Sequence, residues 1–586
     1  MILDKAYYLQ LFQVDEPLLQ RLVREALGRG GDYADLYFEN TTYGNLMLRD
    51  GAVTSGGTHV DYGVGIRTLD GDRTGYAYAE STLPADMLES ARAAAGIAEG
   101  SGTGSTDRPS RSPFRGTPNP AADRYPARQP WRSENIDTFV PFLQGLDQAV
   151  RARDQRVVKV IAQLSYQMTD LLMYNSLGEL KWETRPMGTV SVVALFQQGG
   201  KVENKSTSRS FRCGAEMLSP ALMEEIAGQV VAGVDERFAA RRPKGGKMSV
   251  VMGAGASGIL LHEAMGHAFE ADFNRKGTSI FSDRMGQRVC PAGIHIVDDG
   301  TLHGNRGALN FDDEGVPGQK TYMVEDGILT SYLHDRISAR HYGVSPTGNG
   351  RRESFRYAPI PRMRSTYMES GPAAPEDIIR SVRKGIFVDE FANGQVKIGE
   401  GDFTFYVKAG FLIEDGRLTA PVKDINIIGN GPKALADMQG VADDLAIDPG
   451  AWTCGKEQSV PVSCGIPTVL IGHLIIYLLL ISYIVLLRRF EKTHTLKKLT
   501  VICYNCNARP RNTLSYTPLL PYEAPERLAQ FVAHPAGIGV GPEPSAGSKN
   551  SFHSRHSPKR RTPPLVTSSR AEDVSYRKSK CNDVSL

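Results

Sequence analysis

The stretch Gly253–Asp272, GAGASGILLHEAMGHAFEAD, determines how the C-terminal half of the chain is expected to fold. A short apolar run, Met248–Met252, precedes it and predicts a strand. The glycines that follow predict a turn. From Ile259 onward, apolar residues recur at the spacing of one helical face, so the pattern predicts a strand, a tight turn and then a helix.

Two histidines and a glutamate lie inside this predicted helix: His262, Glu263 and His267. Neutral imidazole is the commonest metal ligand, and a neighbouring glutamate can take a proton from a water that the metal activates. A spacing of five residues places the two imidazoles roughly 140° apart around an ideal α-helix. They can share one metal only if the helix is broken or bulged between them, which Gly266 would permit. The alternative is two histidines that are satisfied separately in a helical core.

The glycines in the same stretch also match a dinucleotide-binding pattern. Gly253, Gly255 and Gly258 spell G-x-G-x-x-G between a strand and a helix. However, no second apolar strand ending in an acidic residue follows, because the chain continues as the polar, glycine-broken segment 274–287. We therefore reject dinucleotide binding.

Bulk composition limits the class of protein. The chain has 586 residues, of which 41% are hydrophobic, which is enough for two or three domains with sizeable cores. A net charge of +3 argues against nucleic acid as the main partner. Seven scattered cysteines, an odd number, do not form a disulfide framework and favour a reducing compartment. The N-terminal residues show no signal-peptide pattern.

The pattern of helices and strands predicts an α+β fold with two domains. Residues 1–240 show capped helices and short strands joined by Asp-Gly turns, and they contain no catalytic constellation. Residues 241–468 form the second domain, which begins at the basic, glycine-containing segment 241–247. Its strands are also broken by Asp-Gly turns, which predicts a largely antiparallel sheet carrying the histidine helix.

A cysteine near the end of the second domain is a candidate third ligand. Thiolate is a strong zinc ligand, and two histidines with Cys454 would leave one coordination position open for water. Lys456 could help to lower the pKa of the thiol. Glu270 and Asp272, just past His267, compete for the same ligand position, and a buried structural cysteine is the simpler reading of Cys454 alone.

The chain resembles the TldD/PmbA family of metallopeptidases over roughly residues 10–468. The matching blocks in the C-terminal half are HEAMGH at 262–267, EADFNRKGTS at 270–279, DDEGVP at 312–317, TGNGRRES at 347–354, GDFTF at 401–405, IGNG at 428–431, CGK at 454–456 and SVPV at 459–462. Those in the N-terminal half are GVGIR at 63–67 and GYAY at 75–78.

The resemblance implies a cytoplasmic zinc peptidase. The ligands of the family fall on His262, His267 and Cys454, and its catalytic carboxylate falls on Glu263. It also implies a dimer with a related TldE (PmbA) subunit or a homologous copy, which encloses the site so that only peptides and unfolded chains reach it. The known roles of the family are removal of leader peptides and degradation of unfolded proteins.

The sequence departs from the family pattern after Cys454. A glycine is missing between Glu457 and Gln458, and Ser463-Cys464 replaces the usual Gly-Val. These changes support an alternative function as a catalytically inactive scaffold or binding subunit. The twin residues Arg351 and Arg352 could donate to the substrate, although a role in stabilising the fold is the simpler expectation.

The last part of the chain does not resemble the family. Residues 469–487 are apolar and long enough for a transmembrane helix, and basic residues follow them. Residues 488–586 are basic and rich in Ser and Pro, a composition typical of disorder. We interpret the residues after about 468 as the product of a frameshift or a faulty gene model, and a genuine membrane anchor is the alternative.

Overall fold

A computed structural model describes residues 3–98, 115–116 and 123–478. Within this range it confirms an α+β fold with large sheets. The tail at 488–586 lies outside the described residues.

The N-terminal half is built on one seven-stranded sheet with the order β3-β2-β1-β5-β6-β4, in which β7 also pairs with β6. Two Asp-Gly pairs make its first tight turns as predicted, with Asp50 at φ 52° and Gly51 at φ 76°. Its strands are β1 (Tyr33–Arg49), β2 (Ala52–Asp70), β3 (Arg73–Ala79), β4 (Arg115–Gly116), β5 (Val157–Asn175), β6 (Glu179–Gln198) and β7 (Lys201–Phe211).

The described residues of the N-terminal half contain six α-helices, and the longer ones pack on the sheet through two apolar clusters. The Asp15 side chain caps α2 by accepting a hydrogen bond from the backbone of Leu18 (2.8 Å), as the sequence predicts. The helices are α1 (Lys5–Leu11), α2 (Glu16–Ala26), α3 (Pro84–Ala95), α4 (Val140–Arg153), α5 (Pro220–Val231) and α6 (Val234–Ala239).

The C-terminal half contains a closed ring of five strands, because β15 pairs with β8 on one side and with β16 on the other. The ring order is β15-β8-β24-β18-β16, and inward apolar side chains fill it. Its strands are β8 (Gly246–Met252), β15 (Lys384–Lys397), β16 (Asp402–Glu414), β18 (Ile425–Asn430) and β24 (Val469–Leu478), with β17 (Arg417–Val422) and β19 (Met438–Val441) attached outside it.

A second sheet of six strands lies beside the barrel, and two short hairpins accompany it. The sheet has the order β11-β10-β9-β14-β23-β20, and the hairpins are β12-β13 and β21-β22. The histidine segment runs from the end of β8 and packs against the barrel strands β15 and β16 and the second-sheet strands β14 and β23. Strand β14 pairs in parallel with β23, and β8 with β15, so the domain is largely rather than wholly antiparallel.

The remaining strands are β9 (Ile296–Asp299), β10 (Lys320–Glu325), β11 (Ile328–Leu329), β12 (Gly350–Arg351), β13 (Ile360–Pro361), β14 (Ser365–Met368), β20 (Ala446–Ile447), β21 (Thr453–Lys456), β22 (Gln458–Pro461) and β23 (Ser463–Ile466). The helices of this half are α7 (Ile259–Leu261), α8 (Ala271–Arg275), α9 (Arg336–Tyr342), α10 (Pro375–Ser381) and α11 (Gly431–Ala436).

The first ten residues of the apolar stretch that predicted a transmembrane helix, Val469–Leu478, form the barrel strand β24. Over residues 469–478 its backbone pairs with β8 and β18, and buried side chains alternate with exposed ones from His473 onward. The helix prediction is therefore wrong for these residues, because an unbroken apolar run fits a buried strand as well as a helix and only the neighbouring strands decide. Residues 479–487 lie outside the described part of the chain. Among the described residues, no helix combines the length and the apolar character that spanning a bilayer requires.

The two halves are held together by a buried loop from the C-terminal half. The backbone N–H of Phe355 donates to the carboxyl group of Glu39 in β1 (2.8 Å), and the Phe355 carbonyl accepts from the Tyr76 hydroxyl (2.6 Å). A buried ion pair between Arg67 and Glu314 (2.7 Å) crosses the same boundary. Glu39 is 3% exposed, and burial raises its pKa to about 7.

The raised pKa of Glu39 predicts a specific pH dependence of stability. Folded Glu39 keeps its proton up to about pH 7, whereas an unconstrained carboxyl loses it near 4.5, so its contribution to stability is lost as pH rises through this window. Glu39→Gln cannot ionise. We expect its free energy of unfolding relative to the parent to increase by roughly 1–3 kcal/mol between pH 5 and pH 8, measured by chemical denaturation.

Glu89→Gln, at an exposed position on α3, serves as the control. If the free energy of unfolding relative to the parent changes equally for Glu39→Gln and Glu89→Gln between pH 5 and pH 8, the pKa of Glu39 is not raised in the folded protein as we describe.

Candidate metal centre

The histidine segment changes its helical type twice within eleven residues. One α-helical turn, Ile259–Leu261, leads into a π-helical turn, His262–Gly266, which is followed by a 3-10 turn, His267–Phe269. The backbone N–H of His267 donates to the carbonyl oxygen of His262, five residues back. A hydrogen bond over five residues closes a turn with one residue more than an α-helical turn, as the histidine spacing requires. The predicted bulge is therefore confirmed.

The π-turn brings the two imidazoles to one side of the segment. Their ring centroids lie 5.0 Å apart, with an angle of 82° between the planes. Gly266 has ordinary helical angles (φ −55°, ψ −51°), so the bulge does not use its conformational freedom. It is instead required for packing, because a Cβ there would lie 2.2 Å from the sulfur of Met363.

Cys454 reaches the same place from the hairpin β21-β22, and its Sγ lies 3.4 Å from Nε2 of His267. The potential ligand atoms of His262, His267 and Cys454 all lie within 4.8 Å of one another, and all three residues are buried. The structure therefore unites side chains that are separated by nearly two hundred residues of sequence.

The charges of this cluster reinforce one another. Burial opposes ionisation of the Cys454 thiol, but the neighbouring His262 and His267 outweigh it and hold the pKa of the thiol well below its usual range. Burial also opposes protonation of His267, but Glu270 and the Cys454 thiolate outweigh it and raise the imidazole pKa. The Cys454 sulfur is thus set up as a thiolate, the form that binds metal.

The donor set fits zinc. Two imidazoles and one thiolate in a buried cluster match the ligands that zinc prefers, and three protein ligands leave a fourth position open. Nδ1 of His262 is buried and has no hydrogen-bond partner among the described residues. His267 uses its Nδ1 to donate to Oε2 of Glu270 (3.0 Å), the arrangement that orients metal-binding histidines.

Glu263 lies beside the cluster. It is half-buried, and burial is the main cause that raises the pKa of its carboxyl group, while His262 and His267 lower it. A Cβ on Gly394 of strand β15 would lie 3.4 Å from Cγ of Glu263, so the side chain passes close to this strand at Gly394.

Comparison with known proteins gives the family. Models of the PmbA/TldA metallopeptidase match domain 1 at residues 34–98, the central domain at 129–238 and the C-terminal domain at 245–477. The chain is 40% identical over 452 residues to the metalloprotease TldD homolog of Haemophilus influenzae, covering 76% of this chain and 93% of that relative. This chain belongs to the PmbA/TldD metallopeptidase family.

A further relative and a solved structure are also similar to this chain. The zinc metalloprotease TldD homolog of Saccharolobus solfataricus is 31% identical over 252 residues, which are 42% of this chain and 56% of that protein. The crystal structure of TldE from Thermococcus kodakarensis is similar in fold, with a TM-score of 0.60 at 20% identity over 78% of this chain and 99% of that one. The family match runs to residue 477, inside β24, and so extends beyond the boundary at 468 that the sequence predicted.

Glu270 and Asp272, the competing candidate ligands from the sequence, lie around the cluster of His262, His267 and Cys454 and are not part of it. Glu270 binds His267 and also Nζ of Lys456 (3.1 Å), and Asp272 binds the same Nζ (2.7 Å). The Lys456 charge is thus neutralised by carboxylates. The sequence analysis did not predict that Glu270 and Asp272 pair with Lys456. A carboxylate three residues after a candidate histidine ligand on a helical segment could have indicated the contact between Glu270 and His267.

Arg351 and Arg352 face the protein interior, as their simpler reading predicted. Arg351 donates to the carbonyl oxygens of Met363 (2.6 Å) and Pro461 (2.8 Å). Arg352 donates to the carbonyl oxygen of Asp313 (2.9 Å). Both are under 5% exposed, so these contacts stabilise the fold around the site.

The departures from the family pattern leave the cluster intact. Without the glycine, Lys456 pairs directly with Gln458, and Glu457 alone makes the turn with φ 57°. Cys464 is buried in β23, where burial raises the pKa of its thiol, so it is a packing residue. The hairpin is shortened, but Cys454 still contacts His267.

Close backbone packing against the π-turn gives a prediction. A Cβ on Gly431 would lie 2.0 Å from the carbonyl oxygen of Ala264, which is inside the turn. Backbone atoms cannot give way as a flexible side chain can, so Gly431→Ala should displace the π-turn and destabilise the protein by about 1–3 kcal/mol. We expect less zinc bound per chain, measured by elemental analysis after dialysis.

Gly455→Ala is the matched control, because nothing lies within 4 Å of the added Cβ although the residue follows Cys454 directly. Equal zinc content in Gly431→Ala and Gly455→Ala would contradict the importance of the π-turn geometry.

Proposed function

We propose that the protein is a zinc-dependent peptidase in which His262, His267 and Cys454 bind the metal. The observation that carries this proposal is the convergence of their ligand atoms within 4.8 Å in a buried cluster. The family assignment and the name of the zinc metalloprotease relative support it. We propose that the protein acts in the cytoplasm, because a reducing compartment protects a thiolate ligand from oxidation.

Zinc in this position would polarise the scissile carbonyl and acidify a water molecule at its open coordination position. Glu263 would accept the proton that the attacking water loses and deliver it to the leaving amine nitrogen. Burial raises the pKa of Glu263, which brings the carboxyl group closer to the range in which one group can both take and return a proton.

The substrate class that we propose is peptides and unfolded chains, with leader-peptide removal and protein degradation as the roles. Strand β15 supports this proposal, because beyond Val388 it pairs only with β16 among the described residues and so offers a free edge beside Glu263. An extended substrate that adds to this edge would be held by its backbone, with little dependence on its sequence.

Replacing Glu263 tests the assigned chemistry. Glu263→Gln keeps the size of the side chain but cannot accept the proton, so kcat should fall about 10²–10⁴-fold while the zinc content is unchanged. The measurement is cleavage of an unstructured peptide by the zinc-loaded protein. Glu376→Gln, at an exposed position on α10, is the control and should keep full activity.

Zinc bound with no peptide cleavage by the parent protein would instead favour the inactive scaffold. Absence of zinc binding would remove the chemical basis of the proposal.

We also propose that the active form pairs with a TldE-like subunit or a second copy of this chain, as the family resemblance implies. The fold shared with TldE supports a common mode of assembly. A tagged protein expressed in its native cells should co-purify with such a subunit in about equal amounts. A monomer that cleaves peptides at the full rate would contradict this proposal.

A further inference from the structure

Four buried charged side chains connect the two parts of the candidate metal centre. Glu270 is fully buried and lies at their centre, in contact with His267, Lys456 and Arg362. Glu270 lies three residues after His267, between the end of the histidine segment and α8, for which it is the N-cap residue. Asp272, the fourth member, binds only Lys456 among these groups.

The connection matters because the candidate ligands lie on separate elements. His262 and His267 belong to the segment after β8, whereas Cys454 is on a hairpin whose turn is a single residue. Lys456 follows Cys454 by two residues on the same strand, and its Nζ reaches Oε2 of Glu270 (3.1 Å). Oε2 of Glu270 is the same atom that accepts the hydrogen bond from Nδ1 of His267 (3.0 Å).

Arg362 makes a second connection between the same two elements. Its guanidinium donates to the carbonyl oxygens of Cys454 (2.6 Å) and Gln458 (2.7 Å) in the hairpin. Its Nε lies 3.8 Å from Oε1 of Glu270. The backbone of Cys454 is thus held in place relative to the carboxylate that orients His267.

We infer that Glu270 and Lys456 are positioning residues for the metal, which align the His267 imidazole with the Cys454 thiolate through one shared carboxylate oxygen. The inference rests on the proposed zinc site. In the neutral imidazole, the form that binds metal, an Nδ1–H that donates to Glu270 leaves the lone pair on Nε2, the nitrogen that faces Cys454. Lys456 holds that carboxylate at a fixed distance from the strand that carries the thiolate.

A general stabilising role for the same charges is the competing explanation. Asp272 distinguishes a positioning role from a general stabilising role, because it binds Lys456 (2.7 Å) but is not bonded to His267. A purely structural network loses stability when either carboxylate is neutralised. In a positioning network, neutralising Glu270 weakens metal binding, whereas neutralising the other carboxylate, Asp272, does not.

The test is the zinc dissociation constant of the full chain, measured by competition with a chromophoric chelator, for Glu270→Gln, Lys456→Met and Asp272→Asn. Removing a partner that orients a metal-binding histidine weakens metal binding about 10–100-fold. We expect that loss in Glu270→Gln and in Lys456→Met, and a loss of less than about threefold in Asp272→Asn. Equal losses for both carboxylates, or none for Glu270→Gln, would overturn the inference.

Cobalt substitution gives a readout that is independent of activity and of overall stability. The thiolate-to-cobalt charge-transfer band should shift or weaken in Glu270→Gln and in Lys456→Met but not in Asp272→Asn. Both residues act through one oxygen atom. The zinc affinity of the double variant, Glu270→Gln with Lys456→Met, should therefore lie within about threefold of that of Glu270→Gln alone. Lys456→Arg keeps the positive charge that Lys456→Met removes, so it should bind zinc more tightly than Lys456→Met.

These outcomes separate the inference from the proposed function. A parent protein that binds no zinc contradicts the proposed metal site itself. A parent that binds zinc tightly, with variants that bind it equally well and give the same cobalt spectrum, contradicts only the positioning role of Glu270 and Lys456.

Discussion

The contact between Nε2 of His267 and Sγ of Cys454, at 3.4 Å, is the interaction on which the site depends. It joins a segment that follows the first barrel strand to a hairpin that precedes the last one. No local pattern can create this contact, because the partners are 187 residues apart. The closed barrel and the sheet beside it fix both elements, and the clustering of the candidate ligands follows from that arrangement.

The helical segment contributes its own constraint. Histidines spaced by five residues diverge on an α-helix, and only the π-turn returns them to one side. This turn is maintained by packing: Gly266 admits the Met363 sulfur, and Gly431 admits the Ala264 carbonyl group. Gly266 and Gly431 are therefore required because a side chain would not fit at either position, and their backbone flexibility is less important.

Much of this arrangement could be predicted from the sequence. The spacing of His262 and His267 required a bulge, and the Asp-Gly pairs marked hairpins that the structure contains. The strand Val469–Leu478 could not be recognised, because its apolar run has no period and only pairing with β8 and β18 distinguishes it from a helix. The link from Glu270 to Lys456 and Arg362 also depends on tertiary contacts that no sequence pattern records.

The order of the barrel strands has a consequence for biosynthesis. Strand β24 lies between β8 and β18, and Cys454 emerges from the ribosome long after the two histidines. A nascent chain therefore carries an incomplete set of ligands through most of its translation, and the ring closes only when its final strand is available. The three candidate ligands can therefore meet only after Cys454 has been translated.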